Sequence, residues 1–301
     1  MSRPEYREEP CRSALNPVRG MPFEWSLNPY MGCAHRCTFC YVRAFERRAE
    51  RPSDSRYGTS IRVKVNVAEV LRRELSRRSW QRGFVAVGAA TDPYQPAEGR
   101  YRLTRECLVA LAGAATPFGI LTRGPLVVRD LDVLATAAAR AKVSVQISLP
   151  TLEDRVAQLT EPGAPPPRQR LRAVRALADA GIRVGIAMAP IIPGLSDSPA
   201  VIAEVVRAAR DAGAEKIWTN LLYLRPGTRE HFLAELDRTW PEVRVALEND
   251  FRGRAHLERS RIKALGDQVA TLVRGVARRE PARPAIEPEP PVLARQLGLG
   301  L

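Results

Sequence analysis

With 301 residues and 45% apolar content, the chain exceeds one average domain and carries enough apolar surface for a sizeable core, which excludes disorder over most of its length. Its 47 Lys and Arg against 33 Asp and Glu leave a net charge of +14, a balance that attracts phosphate-bearing partners such as DNA or RNA and that also fits a merely solvated arginine-rich surface. No run of 18 or more apolar residues occurs and the N-terminus "MSRPEYREEPCRS" is polar, so neither a membrane span nor a signal peptide is expected, and the protein is read as cytoplasmic.

Residues 1–20 lack periodicity and are expected to form a flexible arm. From residue 21 to 225 short apolar runs alternate with amphipathic stretches. The expected main strands are "WSLNPYM" from Trp25, "FVAVGAA" from Phe84, "FGILTR" from Phe118, "VSVQISL" from Val143, "IRVGIAMAP" from Ile182 and "KIWTNLLYL" from Lys216. A further short strand, "IRVKVNV" from Ile61, precedes the helix "AEVLRRELSRRSW". The later helices are "RLTRECLVALAGA", "VVRDLDVLATAAARA", "PPRQRLRAVRALADAG" and "SPAVIAEVVRAARDAGA", several of which stop at or near Gly. Strands alternating with helices predict parallel βα units wound right-handed, as an open doubly wound sheet or a partial barrel. No G-x-G-x-x-G follows the first strand, which argues against the dinucleotide-binding version. Residues 226–279 read as a helical basic extension, through "TREHFLAELDRTW" and a helix near Ala255 to Arg278. Residues 280–301 read as a proline-rich tail.

Three of the five cysteines, Cys33, Cys37 and Cys40, stand in C-x3-C-x2-C spacing between the first strand and the helical run "YVRAFERRAE". In a reducing compartment such a cluster reads as metal-binding before it reads as disulfides. A single loop can turn the three thiolates toward one point. A [4Fe–4S] cluster held by three thiolates keeps one iron open to a small molecule. The alternative is structural zinc with His35, Cys11 or Cys107 as fourth ligand. His35 sits between the first two cysteines, where joint tetrahedral ligation is strained. Cys107 has Leu103 and Leu111 four residues to either side and reads as core.

The C-x3-C-x2-C motif followed by Tyr41 resembles the signature of radical S-adenosylmethionine (SAM) enzymes. That resemblance implies an α/β fold, a partial (β/α)6 barrel, here with a helical C-terminal extension. It further implies a [4Fe–4S] cluster whose open iron binds the amino and carboxylate groups of SAM, and an external electron donor of ferredoxin or flavodoxin type. The implied reaction is reductive cleavage of SAM to methionine and a 5′-deoxyadenosyl radical. The segments "NPYMGCAHRCTFCYVR", "IRVKVN", "TDPYQPAEGRYRLTR", "LTRGPLVVRDLDVL", "SVQISL", "EPGAPPPRQRL" and "GIAMAPIIPG" are similar, in this order, to the spore photoproduct lyase-like group. They run from about Trp25 to Tyr223.

Barrel active sites draw on the C-terminal ends of strands, where this chain places Thr91, Asp92, Thr122, Arg123, Ser148 and Asn220. A cation beside an apolar strand needs an anionic partner, so Arg123 is a candidate for the carboxylate of SAM, against the alternative of an exposed loop arginine. The lyase resemblance puts Arg123 at the position of a lysine that contacts the methionine carboxylate, and Ser148 at that of a serine near the cofactor ribose. Thr91 and Asp92 are weaker candidates for cofactor contact, because "TDP" is also ordinary turn chemistry. The resemblance also shows departures. Ala89 or Ala90 stands where the lyase has its hydrogen-donating cysteine, and Phe39 and Tyr41 stand at its two relay tyrosines, leaving Tyr41 as the candidate catalytic phenol. Photoproduct reversal is therefore not expected to carry over. The substrate is read as a nucleic-acid base, with a peptide or small molecule as the alternative. A metal-stabilised nucleic-acid-binding module without catalysis is the alternative outside enzymes.

Overall fold

Six strands run parallel, in the order in which the chain makes them, in the computed structural model, which describes residues 4–280. The strands are β1 (Glu5–Glu9), β2 (Leu15–Pro17), β3 (Trp25–Leu27), β4 (Tyr30–Met31), β5 (Ser60–Lys64), β6 (Val85–Val87), β7 (Phe118–Thr122), β8 (Val143–Ser148), β9 (Val184–Ile191) and β10 (Lys216–Leu221). The main sheet has the order β10-β9-β8-β7-β6-β3-β2, with only β2 antiparallel. Consecutive order without a switch point separates this sheet from a doubly wound one, and the lack of pairing between its two ends leaves the barrel partial. The expected partial (β/α)6 barrel is the observed fold.

The strands show how one sequence period serves both a core and a cavity. In β7 and β8, Phe118, Ile120, Val143, Val145 and Ile147 are buried on the face that helices such as Pro167–Asp179 cover. The alternate positions Gly119, Leu121, Ser144 and Gln146 are only partly buried. Apart from Leu121, the inner face of these two strands therefore carries small or polar residues, which leaves space for a cavity. On β9 a Cβ at Gly185 would lie 2.6 Å from Gln146 Oε1, so glycine is what lets the Gln146 amide lie across the sheet.

The arm expected over residues 1–20 is instead part of two sheets. β1 pairs parallel with β5, from Glu5 opposite Ser60 to Glu9 opposite Lys64, and β4 completes this three-stranded sheet. β2 pairs with β3. Both strands satisfy edge N–H and C=O groups, which requires no apolar alternation, and β1 is mostly exposed. Helices Pro96–Tyr101 and Asp154–Thr160 add to the expected elements, and Pro241–Phe251 falls within the expected helical extension; the first and last of these start on a proline, which suits the first helical turn.

The extension comprises helices Arg229–Thr239, Pro241–Phe251 and Arg259–Gly275, and buries Phe232, Leu236, Leu247, Phe251, Leu265 and Val269. Helix Arg259–Gly275 packs on β10 and on helix Pro199–Asp211. Much of its basic character is neutralised internally: Arg254 pairs with Glu258, Arg261 with Asp197 and Asp250, Lys263 with Asp267, Arg278 with Glu215 and Arg279 with Asp179. Except for Glu280, the tail expected over 280–301 lies outside the described residues. Among those residues, no helix is long and apolar enough to cross a membrane.

Candidate active site

The cysteine loop runs between β4 and helix Val42–Arg48 and is fastened from several sides. Gln95, fully buried, donates from Nε2 to Gly32 O at 3.1 Å and accepts from Ala34 N at 3.0 Å. Thr91 Oγ1 donates to the same Gly32 O at 2.6 Å. Buried Arg43 donates to Cys37 O at 3.2 Å, reaches Ser53 O and Asp54 O at 2.7 and 2.6 Å, and lies over the Tyr57 ring. Thr38 N donates to Thr160 O and Gly163 N to His35 O, which tie the loop to the turn after helix Asp154–Thr160. A Cβ at Gly58, whose φ is +77°, would lie 2.3 Å from Cys33 O, so a glycine is required where the turn before β5 packs against the loop. These bonds order the loop by protein contacts alone.

Cys33, Cys37 and Cys40 line one cavity of about 80 Å³, with Tyr41, Tyr57 and Arg123 also in its wall. Cys33 and Cys37 are buried, while Cys40 is partly exposed and its Sγ lies 3.7 Å from Tyr57 Oη. Burial pushes the Cys37 thiol up to about 12 even with Arg123 nearby, and burial raises Cys33 as well. Such thiols keep their protons until a metal displaces them. Among the described residues no three His, Cys, Asp or Glu side chains are grouped around a single ion. Three soft thiolate donors spread around a cavity wall suit a multi-iron cluster with separate corners.

Of the other candidate ligands, His35 stands in the wall of the same cavity and Cys11 packs, partly buried, against the core. The buried His35 ring places Nδ1 3.2 Å from Asp92 Oδ2, close enough for an ion pair but out of line for a hydrogen bond. Cys107 is wholly buried in the core, as its helical phase predicts.

Thr91 and Asp92 line the cysteine cavity, but their polar atoms are committed to protein. Asp92 accepts from Thr122 Oγ1 at 2.5 Å, Tyr94 N at 2.9 Å and Arg123 N at 2.7 Å. Burial alone would raise its carboxyl; His35 and the bonds from Thr122 and the Arg123 amide outweigh burial and hold it at about 2. Asp92 thus clamps the β6 and β7 ends together. The Tyr41 hydroxyl donates to the Ala89 carbonyl, and its ring, 45% exposed, meets Phe45 edge-on.

Arg123 and Ser148 border a second cavity of about 420 Å³, which shares Cys37, Cys40, Tyr41, Leu121 and Arg123 with the first. Ser148 Oγ donates to Ala189 O over a long 3.3 Å. Arg123 does have an anionic partner, and it belongs to the protein. Its Nε lies 2.6 Å from Glu161 Oε1, and Arg170 Nη1 lies 2.6 Å from Glu161 Oε2. Glu161 and Arg170 are only 2% and 1% exposed. Two guanidiniums on one carboxylate leave a net positive charge beside Cys37, and Arg123 Nη1 has no protein acceptor among the described residues. Sequence reasoning missed Glu161, Arg170 and Gln95. A signal existed for Arg170: it shares a helical stripe with Ala173, Val174 and Leu177, all buried, while Arg168 and Arg172 point outward. A larger groove of about 530 Å³, bordered by Arg47, Glu230, His231 and Arg238, lies apart from the cysteines.

The sequence model of the radical SAM superfamily matches residues 27–201. The chain belongs to the radical SAM superfamily. An uncharacterized protein of Mycobacterium tuberculosis is 38% identical over 271 residues, covering 89% of this chain and 80% of that one. An uncharacterized protein of Acidianus two-tailed virus is 30% identical over 238 residues, 75% of each chain. The radical SAM Nα-GlyT isomerase of Pseudomonas phage M6 is 31% identical over 171 residues, which cover 56% of this chain and 33% of the isomerase. Among solved structures, spore photoproduct lyase with bound AdoMet and dinucleoside spore photoproduct superposes with a TM-score of 0.64 at 16% identity, over 90% of this chain and 79% of the lyase. At that identity the likeness concerns the fold, and it agrees with the lyase-like resemblance of the sequence segments.

Proposed function

We propose that this radical SAM enzyme holds a [4Fe–4S] cluster on Cys33, Cys37 and Cys40, binds SAM in the adjoining cavity, and acts on a nucleic-acid base. The observation that carries the reading is the wall the two cavities share: Cys37, Cys40 and Arg123 border both, with Cys33 on the side of the smaller one and Ser148 on the side of the larger. When bound, the cluster supplies the electron that cleaves SAM to methionine and a 5′-deoxyadenosyl radical. Arg123 contributes an unsatisfied guanidinium N–H for the methionine carboxylate, and Glu161 with Arg170 keeps that group in place. The Ser148 hydroxyl, which donates only over a long 3.3 Å to Ala189 O, is free to turn toward a ribose hydroxyl. Leu121, Ala187, Ala189 and Pro190 supply an apolar wall that excludes water from a reactive intermediate. Thr91 and Asp92 support the site by fixing its loops.

A base as substrate is supported by the +14 net charge, by the lyase-like segments, and by the aromatic wall of the larger cavity, where Phe39, Trp218, Tyr223 and His256 stand. The electron donor is proposed to be a soluble ferredoxin or flavodoxin in the cytoplasm, where the free cysteines would stay reduced. Anaerobic reconstitution followed by assay for 5′-deoxyadenosine tests the chemistry, and deuterium transfer from a labelled oligonucleotide into 5′-deoxyadenosine tests the substrate. Cleavage without deuterium transfer would return the substrate to a peptide or small molecule. A full iron complement without cleavage would leave a non-catalytic binding module.

A further inference from the structure

The extension after β10, which reads in sequence as an appendage, builds part of the larger cavity. Leu224 N donates to Ala255 O at 3.0 Å, and Arg229 Nη2 donates to Leu224 O at 3.3 Å and to Arg254 O. Buried Phe251 and Leu257 anchor the same segment from below. The result brings two residues 33 positions apart into contact: the rings of Tyr223 and His256 lie 4.3 Å apart at 38°. Both line the cavity. Trp218 on β10 lines it too; Gln146 Oε1 accepts from its Nε1 at 3.2 Å, which sets the ring's orientation, yet the residue remains 41% exposed. Arg225 lies 5.1 Å from the Tyr223 ring centroid and makes no ion pair among the described residues.

We propose that Trp218, Tyr223 and His256 are specificity-determining residues that take one nucleotide unit of the substrate, its base against their rings and its phosphate on Arg225. The proposal rests on the reading of a nucleic-acid base as substrate and assigns that base a place. Trp218 and His256 are exposed and Tyr223 half-buried in a wall that also carries apolar Leu121, Ala187, Ala189 and Pro190, and such aromatic surface costs hydration until a flat partner covers it. Stacking suits a heterocycle, because every base offers a π-face. A cation without a carboxylate partner beside those rings suits the phosphate that accompanies a base.

The test is the affinity of a fluorescein-labelled single-stranded oligothymidylate for the reconstituted holoenzyme with SAM, measured by anisotropy, with iron content and thermal midpoint as the check on folding. His256→Ala and Trp218→Leu are expected to weaken binding about tenfold or more. His256→Phe, which keeps a ring, retains affinity. Arg225→Gln lowers affinity at low salt and reduces the slope of log K against log salt by about one. Equal affinity of His256→Ala, Trp218→Leu and the parent protein would overturn this assignment while leaving the substrate class standing. No oligonucleotide binding by the parent protein would overturn the substrate class and this assignment together, with SAM cleavage still to be judged by its own assay.

Discussion

Replacing Glu161 by Gln separates the two tasks of the Arg123–Glu161–Arg170 group. The carboxylate meets both guanidiniums at 2.6 Å and is 2% exposed. The amide keeps the volume but removes the charge, and it turns an N–H toward one of two cations that then lack a counter-ion. Breaking a buried ion pair from one side costs about 3–5 kcal/mol. At roughly 2–4 °C per kcal/mol for a chain of this class, the thermal midpoint should fall by ~6–20 °C. Arg123→Ala is expected to behave differently: Glu161 keeps Arg170, so stability falls less, while SAM affinity drops by about 1.5–3 kcal/mol for a lost charge-assisted hydrogen bond. Burial opposes ionisation of Glu161, but Arg170 and Arg123 outweigh it and hold its carboxyl below the usual 4.5. A depressed folded-state value means that the group's contribution is complete above pH 4.5 and disappears as pH falls through the lowered value. Calorimetric melting of the unreconstituted protein and equilibrium dialysis of SAM with the reconstituted protein check the two halves. An unchanged midpoint in Glu161→Gln would refute the buried-charge reasoning, and unchanged SAM affinity in Arg123→Ala would reduce Arg123 to a structural ion pair.

Single replacement of Cys33, Cys37 or Cys40 by Ala should abolish a complement of about four iron per chain, while Cys11→Ala and Cys107→Ala should keep it; stoichiometric zinc after anaerobic handling would contradict the assignment. Burial, with Arg43 and Arg238 adding to it, lowers the His231 imidazole from 6.5 to about 4. The unfolded chain therefore binds the extra proton first, and stability should decline as pH falls from 6.5 toward about 4. Denaturant midpoints for His231→Gln should vary less over that window, and an equal decline in both proteins would exclude His231 as its source. On DNA containing spore photoproduct the enzyme should cleave SAM yet fail at clean repair over many turnovers, because Cys33, Cys37 and Cys40 are the only thiols among the described residues lining the two cavities. Clean multiple-turnover repair would show that another donor replaces the missing cysteine. Any nucleic-acid binding should weaken steeply with salt, but replacing Arg261 or Lys263 should change it little, since both already pair with carboxylates.

What the sequence determined by itself is the part of the protein set by local covalent spacing. Eight residues of chain, Cys33 to Cys40, hold three thiols to one loop wherever that loop lies, and alternation at period two, interrupted by helical stripes, is enough to specify successive parallel βα units. The end of β7 could likewise be read as carrying a cation that needs an anion. Which anion was decided only in three dimensions, because Glu161 lies 38 positions from Arg123 and reaches it through the packing of helix Pro167–Asp179 and the turn before it. The same holds for β1, whose partner is an edge of backbone groups with no side-chain signature, and for a basic extension whose charges are matched by acids as distant as Asp179 and Asp197. His256 makes the point most directly. Nothing near it in the chain marks it as part of a cavity wall; burial of Phe251 and Leu257 and one backbone bond from Leu224 to Ala255 carry its ring to Tyr223 and into that wall. Long-range burial and backbone pairing place such groups, and their free energy belongs to the folded whole rather than to any segment of the chain.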